Sequence, residues 1–306
     1  MGVATASGHP VYSGTFIPEV WSGNILIKFY TACTIVALAN TDYEGEIKNL
    51  GDKVYVRQDP DITINNYYKG ADLEIQRPEM PVKTLEIDQA KYFNAIVDDV
   101  DKYQSDIPLM DRWSADAAQQ MKIEIDSDVF EAIYDDPHAS NIGTAAGAKS
   151  AAFNMGTTNA PVAVTKSDIL EYIVDMETIL DEQNVPETGR WLTIPAWFAG
   201  MIMKSDLKDA SLAGDGTSIL RNGRLGRIGM FTLYKTNNIY SVVDGSYTGY
   251  YCMFGTKHAI TFASQMTNME TLRTSRTFGT LLRGLNVYGF KTLKSEALGA
   301  FYCRKG

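Results

Sequence analysis

The chain has 306 residues, and 37 Asp and Glu outnumber 28 Lys and Arg for a formal net charge of −9. Its length suits one large domain or two ordinary ones, and 45% hydrophobic against 21% charged residues excludes a disordered or collagen-like chain. Apolar runs such as Ile35–Ala39 and Ala196–Met203 fall far short of the ~20 residues of a membrane helix. The acidic excess argues against a protein that grips nucleic acid by neutralising phosphates, though not against one that encloses it.

Residues 1–15 are small and polar and read as an arm, with neither a secretory pattern nor a myristoylation signal, since Ala6 stands where Ser or Thr is needed. Pro18 opens a helical pattern with Val20, Trp21, Ile25, Leu26 and Phe29 on one broad face. From Gly51 the period becomes two. Val54 and Val56, then Ile62 and Ile64, alternate with polar residues, a turn follows at Lys69-Gly70, and Leu73 and Ile75 return. The spacing predicts a long two-stranded hairpin over 51–87, and Pro60, Pro78 and Pro81 confine its strands to sheet edges. Such a ribbon is marginal alone. It either joins a larger sheet of its own domain or reaches a neighbouring subunit. Arg57 and Arg77 lie on its two strands, Asp59, Asp61, Asp72, Glu74 and Glu79 surround them, and Lys69 sits near the tip.

A long helix is expected over 106–135, with Asp106 as cap, Pro108 in the first turn and Asp135-Asp136-Pro137 as the stop. Leu109, Trp113, Ala117, Met121, Ile125, Val129 and Ile133 recur every four residues, a stripe that winds by about 40° per step and can meet more than one element. Residues 137–164, rich in Gly, Ala, Ser, Thr and Asn, read as a linker or surface loop. Thr165 and Asp168 resemble a capping box before an amphipathic helix. Trp191–Ile194 reads as a strand, Pro195 starts a helix through Met203, and the glycine-rich stretch 206–229 reads as loop. Phe231–Tyr234, Ile239–Val243 and Tyr250–Phe254 are further strands. Antiparallel sheet follows from Ala259 to Cys303, with Gly279, Gly284 and Gly289 as breaks.

Chemistry is sparse. Cys33, Cys252 and Cys303 form no framework and suit a reducing cytoplasm as small apolar residues. His9, His138 and His258 are far apart, and no HExxH, CxxC, GxSxG, Walker or dinucleotide motif occurs. Gly223, Gly226 and Gly229 lead into a strand, not a helix N-terminus, so they make turns better than a phosphate cradle. Asp98, Asp99 and Asp101 lack calcium-loop spacing and suit salt bridges. Seventeen tyrosines fit protein interfaces. No catalytic residue, cofactor or metal is expected.

Ile87-Asp88-Gln89-Ala90-Lys91-Tyr92-Phe93 and Val97-Asp98-Asp99-Val100-Asp101-Lys102-Tyr103-Gln104-Ser105, between a hairpin opening on Gly51-Asp52-Lys53-Val54 and the helix after Pro108, resemble the major capsid proteins of tailed double-stranded DNA phages. Ala259–Gln265, Glu270, Arg273, Phe278-Gly279, Tyr288-Gly289 and the loop 222–229 are similar too, with Met230 where a further glycine is common. The resemblance implies an α+β, HK97-like fold. Its parts would be an N-terminal arm (1–50), an extended hairpin loop (51–85), a peripheral domain (86–150 and 256–306) with the spine helix, and an apical domain (151–255). The spine helix would pack on both the sheet and the hairpin base. It further implies hexamers and pentamers in an icosahedral shell around DNA bound without sequence preference, with no membrane. The arm is too short for a built-in scaffold, so a separate scaffolding protein is expected, with a portal and possibly a decoration protein. The implied location is the virion, assembled in the host cytoplasm. Arg57, Asp59, Asp61, Lys69, Asp72, Glu74, Arg77, Glu79, Glu270 and Arg273 are the expected inter-subunit residues. No partner asparagine or base can be assigned to Lys69, so a non-covalent shell is expected. The alternatives are a cellular encapsulating shell of the same fold and a soluble αβ enzyme with its site in 206–229.

Overall fold

The computed structural model describes residues 33–43, 53–60, 62–70, 72–98, 109–205, 224–273 and 278–306. The N-terminal arm, the 18–29 pattern, Gly51-Asp52, Asp61, Asp99, Asp101, the start of the long helix at Asp106 and Pro108, and the loop 206–223 lie outside them. Strands β1 (Lys53–Arg57) and β2 (Val82–Glu86) pair antiparallel. Val54 and Val56 turn inward and Lys53, Tyr55 and Arg57 outward, as the period of two requires. The ladder stops at Arg57↔Val82, with one more bond from Gln58 N to the Pro81 carbonyl. Residues 62–68 and 72–80 carry no strand pairing, so the long ribbon expected over 51–87 is regular only at its base. Prolines 60, 78 and 81 account for this, because each removes a ladder donor.

Strand β3 (Gln89–Asp98) forms one edge of a three-stranded antiparallel sheet in the order β10 (Ile260–Arg273), β11 (Gly279–Thr292), β3. Helix α2 (Leu109–Ile133) covers one face, where Tyr288 donates to Asp128 Oδ2 at 2.6 Å and Lys91 reaches the same carboxylate. The hairpin base covers the other face. There Val54, Val56, Leu85 and Ile87 bury against Ala263, Val287 and Leu293, and no α2 residue belongs to that cluster. Spine helix and hairpin base thus sit on opposite faces, which corrects the expectation that the helix stripe packs on both. Val287 and Tyr288, adjacent on β11, point to opposite sides.

The glycines expected to break this sheet lie inside β11 instead. A Cβ on Gly284 would collide with the Phe93 ring, and one on Gly289 with the Glu86 carbonyl oxygen. They are points of close approach, where an aromatic ring and the end of β2 lie flat on the strand.

A seven-stranded sheet runs β4 (Val162–Val164), β12 (Leu298–Lys305), β9 (Tyr247–Thr256), β5 (Arg190–Ile194), β7 (Phe231–Lys235), β6 (Arg224–Ile228), with β8 (Ser241–Asp244) on β9. Every residue of central β5 is buried, as an apolar strand covered on both faces should be. Helices α3 (Ile169–Glu182) and α4 (Ala196–Ile202) bury Ile173, Met176, Phe198 and Ile202 in the same core as the second half of α2. Strand β12 pairs with β9 and β4, so 298–305 belong to the seven-stranded sheet and not to the three-stranded one that β10 and β11 form. The stretch 137–164, expected as a linker or surface loop, is mostly loop but holds a 3-10 turn (Ala139–Asn141) and β4. Buried Asn141 orders it by donating to the Glu296 and Leu298 carbonyls. The capping box also differs. Asp168 itself is the N-cap of α3, and Thr165 Oγ1 donates to its carboxylate instead of capping the backbone.

Two buried polar side chains tie these layers. Arg190 donates to Asp181 Oδ1 and to the Val185 carbonyl, both at 2.6 Å, fixing β5 to the end of α3. Asp126, on α2, is fully buried. Its Oδ1 accepts from Thr34 N (2.9 Å) and Ile35 N (2.7 Å), at the start of α1 (Ile35–Leu38), and its Oδ2 from Asn238 Nδ2 (2.9 Å). One carboxylate therefore joins the entering chain, the spine helix and the β7–β8 connection.

Asp126→Ala strands three donors in the core, at about 1–3 kcal/mol for each unsatisfied group, and should lower the thermal midpoint of the soluble subunit by several degrees. Burial pushes the Asp126 carboxyl up, against the pull of its three donors. The folded state then binds the proton more readily than the unfolded state. Its contribution is full below the ordinary carboxylate value and is lost as pH rises through the raised one. Relative to Asp126→Asn, the natural chain should gain stability as pH falls from about 7 to 4, read from urea midpoints. The opposite sign would contradict the assignment.

Candidate inter-subunit surface

Among the described residues no group of three or more His, Cys, Asp or Glu could hold a metal ion. His138 Nδ1 accepts from Ser140 N within its own turn. Cys252 and Cys303 are buried thiols with Sγ atoms 3.7 Å apart, and burial pushes the Cys303 thiol up. Gly226 and Gly229 have positive φ, the first at a bulge in the β6–β7 register, the second in the turn. Glu177 fills the space a Cβ on Gly229 would need and accepts from Met230 N at 2.6 Å. Gly226 therefore serves the bulge and Gly229 the turn.

What the described surface does offer is apolar area. Beyond its paired base the hairpin continues as an arm whose two halves meet through polar side chains. Thr63 N donates to Gln76 Oε1 (3.1 Å), Gln76 Nε2 to the Thr63 carbonyl (2.9 Å), and Asn65 Nδ2 to Glu74 Oε2 (3.5 Å). The intervening apolar residues have nothing to pack on: Ile64 is 89% exposed and Ile75 93%, with Ile62, Tyr67, Tyr68, Leu73 and Met80 also exposed. The base is anchored, since Gln58 Nε2 and Lys83 Nζ both donate to the Leu293 carbonyl at 2.9 and 2.6 Å. The arm is thus held at one end and unburied along its length.

A second apolar surface lies where the three-stranded sheet extends past the hairpin base, on the face away from α2. Register places Leu272, Leu281 and Ile96 in one row, Glu270, Arg283 and Asn94 in the next, and Leu285 beside Tyr92. Tyr92 is 78% exposed, and Ile96, Leu272 and Leu285 are exposed as well. A hollow of about 340 Å³ opens between Tyr92, Asn94, Glu270, Arg283 and Leu285. Exposed apolar patches of this kind, rimmed by charge, mark interaction sites.

Of the residues expected from sequence, Asp61 lies outside the described residues, and the others are placed on or beside these two surfaces. Arg57 ends the paired base, Lys69 is in the turn with Gly70 at φ +87°, and Asp59, Asp72, Glu74, Arg77 and Glu79 are exposed along the arm. Among the described residues no ion pair joins Arg57 or Arg77 to these carboxylates. Glu270 accepts from Arg283 at 2.7 Å and 3.1 Å, and Arg273 ends β10 opposite Thr280. No ion pair among the described residues links the arm to the sheet end within one chain. Sequence reasoning missed Asp126 and the outer sheet face. The latter had a signal: β3 is apolar on both faces, Tyr92 and Ile96 on one and Phe93 and Ala95 on the other, which calls for cover on both.

Residues 83–302 match the family model for phage capsid protein. No curated protein matches the chain in sequence. Similar solved structures include that of Mycobacterium phage Che8, at 24% identity over 94% of this chain and 97% of that one, with a TM-score of 0.72. The capsid of Cyanophage P-SCSP1u is similar at 14% identity, 95% and 94% coverage and a TM-score of 0.66. The capsid of Ralstonia phage GP4 follows at 12% identity, 99% and 98% coverage and a TM-score of 0.65. With a family match over most of its length and this HK97-like fold, the chain belongs to the phage capsid protein family and is a structural, shell-forming subunit.

Proposed function

We propose that copies of this chain join through the hairpin arm into hexamers and pentamers, which close as an icosahedral shell around double-stranded DNA. The observation that carries this is the exposure of Ile62, Ile64, Leu73 and Ile75 on an arm anchored only at its base. Burying each against a neighbour contributes about 1.5–3 kcal/mol before the costs of association. A heterologous contact of arm on neighbour, repeated by rotation, closes a ring. Arg57, Asp59, Asp61, Lys69, Asp72, Glu74, Arg77 and Glu79 then set the arm's register on the neighbour, and Glu270 and Arg273 act at the far end of the sheet. The three-stranded sheet with α2 serves as the peripheral part and the seven-stranded sheet as the apical part. A net charge of −9 keeps the lining from holding packaged DNA tightly. A separate scaffolding protein and a portal complete the particle, with a decoration protein as an optional addition, assembled in the host cytoplasm and residing in the virion. Among the described residues no helix is long and apolar enough to cross a membrane.

Replacing residues 62–75 by a short Gly-Ser turn should leave the far-UV circular dichroism near that of the natural chain. Electron microscopy should then show no shells, with or without scaffold. Unfolding of this variant would make the arm part of the subunit's own core, and normal shells would remove it from the interface.

Glu270 and Arg283 are half-exposed, so Glu270→Ala should change the stability of the soluble subunit by less than about 1 kcal/mol. Loss of assembly at unchanged subunit stability is the expected result, read by sedimentation beside thermal unfolding. Mature shells should dissociate to single 306-residue chains in denaturing gels. A ladder of cross-linked multimers would contradict the non-covalent shell.

A further inference from the structure

The seven-stranded sheet holds two thiols that the proposed assembly leaves unused. In the β9–β12 register Cys252 stands opposite Phe301 and Cys303 opposite Tyr250. Side chains two apart on a strand share a face, so the two cysteines are diagonal neighbours on the same side of the sheet. Both are fully buried, and their Sγ atoms lie 3.7 Å apart, one thiol donating to the other. On its far side β12 pairs with edge strand β4, which places Val162 beside Cys303. The third cysteine, Cys33, is half-buried where the chain meets α2.

We infer that Cys252 and Cys303 are a latent intrachain disulfide, reduced in the newly folded subunit and closed by a small oxidant of the peroxide class. First one sulfur takes an oxygen atom from the peroxide, giving a sulfenic acid. The O–O bond breaks, and the other oxygen leaves as water with the thiol proton. The neighbouring thiol then attacks that sulfur. Its S–OH bond breaks, the S–S bond forms, and a second water carries off the remaining thiol proton. Two electrons pass from the sulfurs to the peroxide. A disulfide holds its sulfurs about 2.05 Å apart, so rotation of the two side chains has about 1.7 Å to close.

Burial sets the timing. It pushes the Cys303 thiol up, which keeps the reactive thiolate scarce. The pair reacts when β4, an edge strand of three residues, lifts from β12, a local opening that leaves the rest of the core in place. The consequence follows from topology. Between Cys252 and Cys303, 51 positions apart, the chain leaves the seven-stranded sheet, builds β10 and β11 of the other sheet and returns as β12. Closing the bond makes that excursion a covalent loop, and long loops restrict the unfolded chain most. The staple ties together the two sheets of one subunit, independently of what the hairpin arm does.

The test treats the natural subunit with hydrogen peroxide, removes the excess with catalase, alkylates free thiols in denaturant and maps the peptides by mass spectrometry. The result expected is a linked peptide joining Cys252 to Cys303, with both thiols restored by dithiothreitol. The oxidised subunit should melt several degrees above the reduced one. In a Cys252→Ala chain the second thiol is missing, so dimedone should trap the sulfenic acid on Cys303. Recovery of Cys252 and Cys303 as free thiols, at a dose that oxidises Cys33, would overturn the inference and leave a hydrogen-bonded apolar pair only. Links to Cys33, or sulfinic acid on both residues, would overturn it too, and a bond that leaves the midpoint unmoved would overturn the staple.

Discussion

The three-stranded sheet β10–β11–β3 carries apolar side chains on both faces, and such a sheet must be covered twice. Most of the architecture follows from how one chain meets that demand only in part. Helix α2 supplies one cover and brings Tyr288, Asp128 and Lys91 together beneath it. The hairpin base supplies the other, sealed by Val54, Val56, Leu85 and Ile87 against Val287 and Ala263. Gly284 lets the Phe93 ring of the neighbouring strand lie over β11 on the α2 side, and Gly289 lets the end of β2 approach on the other. Past the base the second face stays open, at Tyr92, Ile96, Leu272 and Leu285.

The open face and the bare arm both leave apolar side chains exposed in the single chain. An isolated subunit leaves Ile64 and Ile75 in water while keeping the paired base firmly on the sheet. This separates the stability of the subunit from that of the assembly. The subunit's own core, in which buried Arg190 and Asp126 both have hydrogen-bond partners, does not involve the arm. On the proposed assembly, a neighbouring copy supplies the apolar burial that the arm lacks in a single chain.

Much of this was legible in the sequence. The period of two at Val54 and Val56, the Lys69-Gly70 turn and the stripe from Met121 to Ile133 each carry their structure openly. The element order carried the fold through resemblance. Where the reading departed from the structure, the cause is physical. Glycine in a strand breaks it or admits a close neighbour, and only the position of Phe93 and Glu86 decides for Gly284 and Gly289. The side of a sheet on which a helix lies cannot be read from the helix stripe alone, so α2 and the hairpin base were expected together. Strand β12 looked like a continuation of the preceding antiparallel strands, and only long-range pairing with Val162–Val164 and β9 assigns it to the other sheet. Asp126 gave no local signal, since its partners lie some 90 and 112 residues away.

The central claim is that the arm finds its burial on another copy. A cryo-electron microscopy reconstruction of assembled shells tests it most directly, through the environment of Ile64 and Ile75. The account predicts both side chains buried against a neighbouring subunit, while the base stays on Val287 of its own sheet. Arms that remain solvent-exposed in the shell, or fold back onto their own subunit, would contradict it.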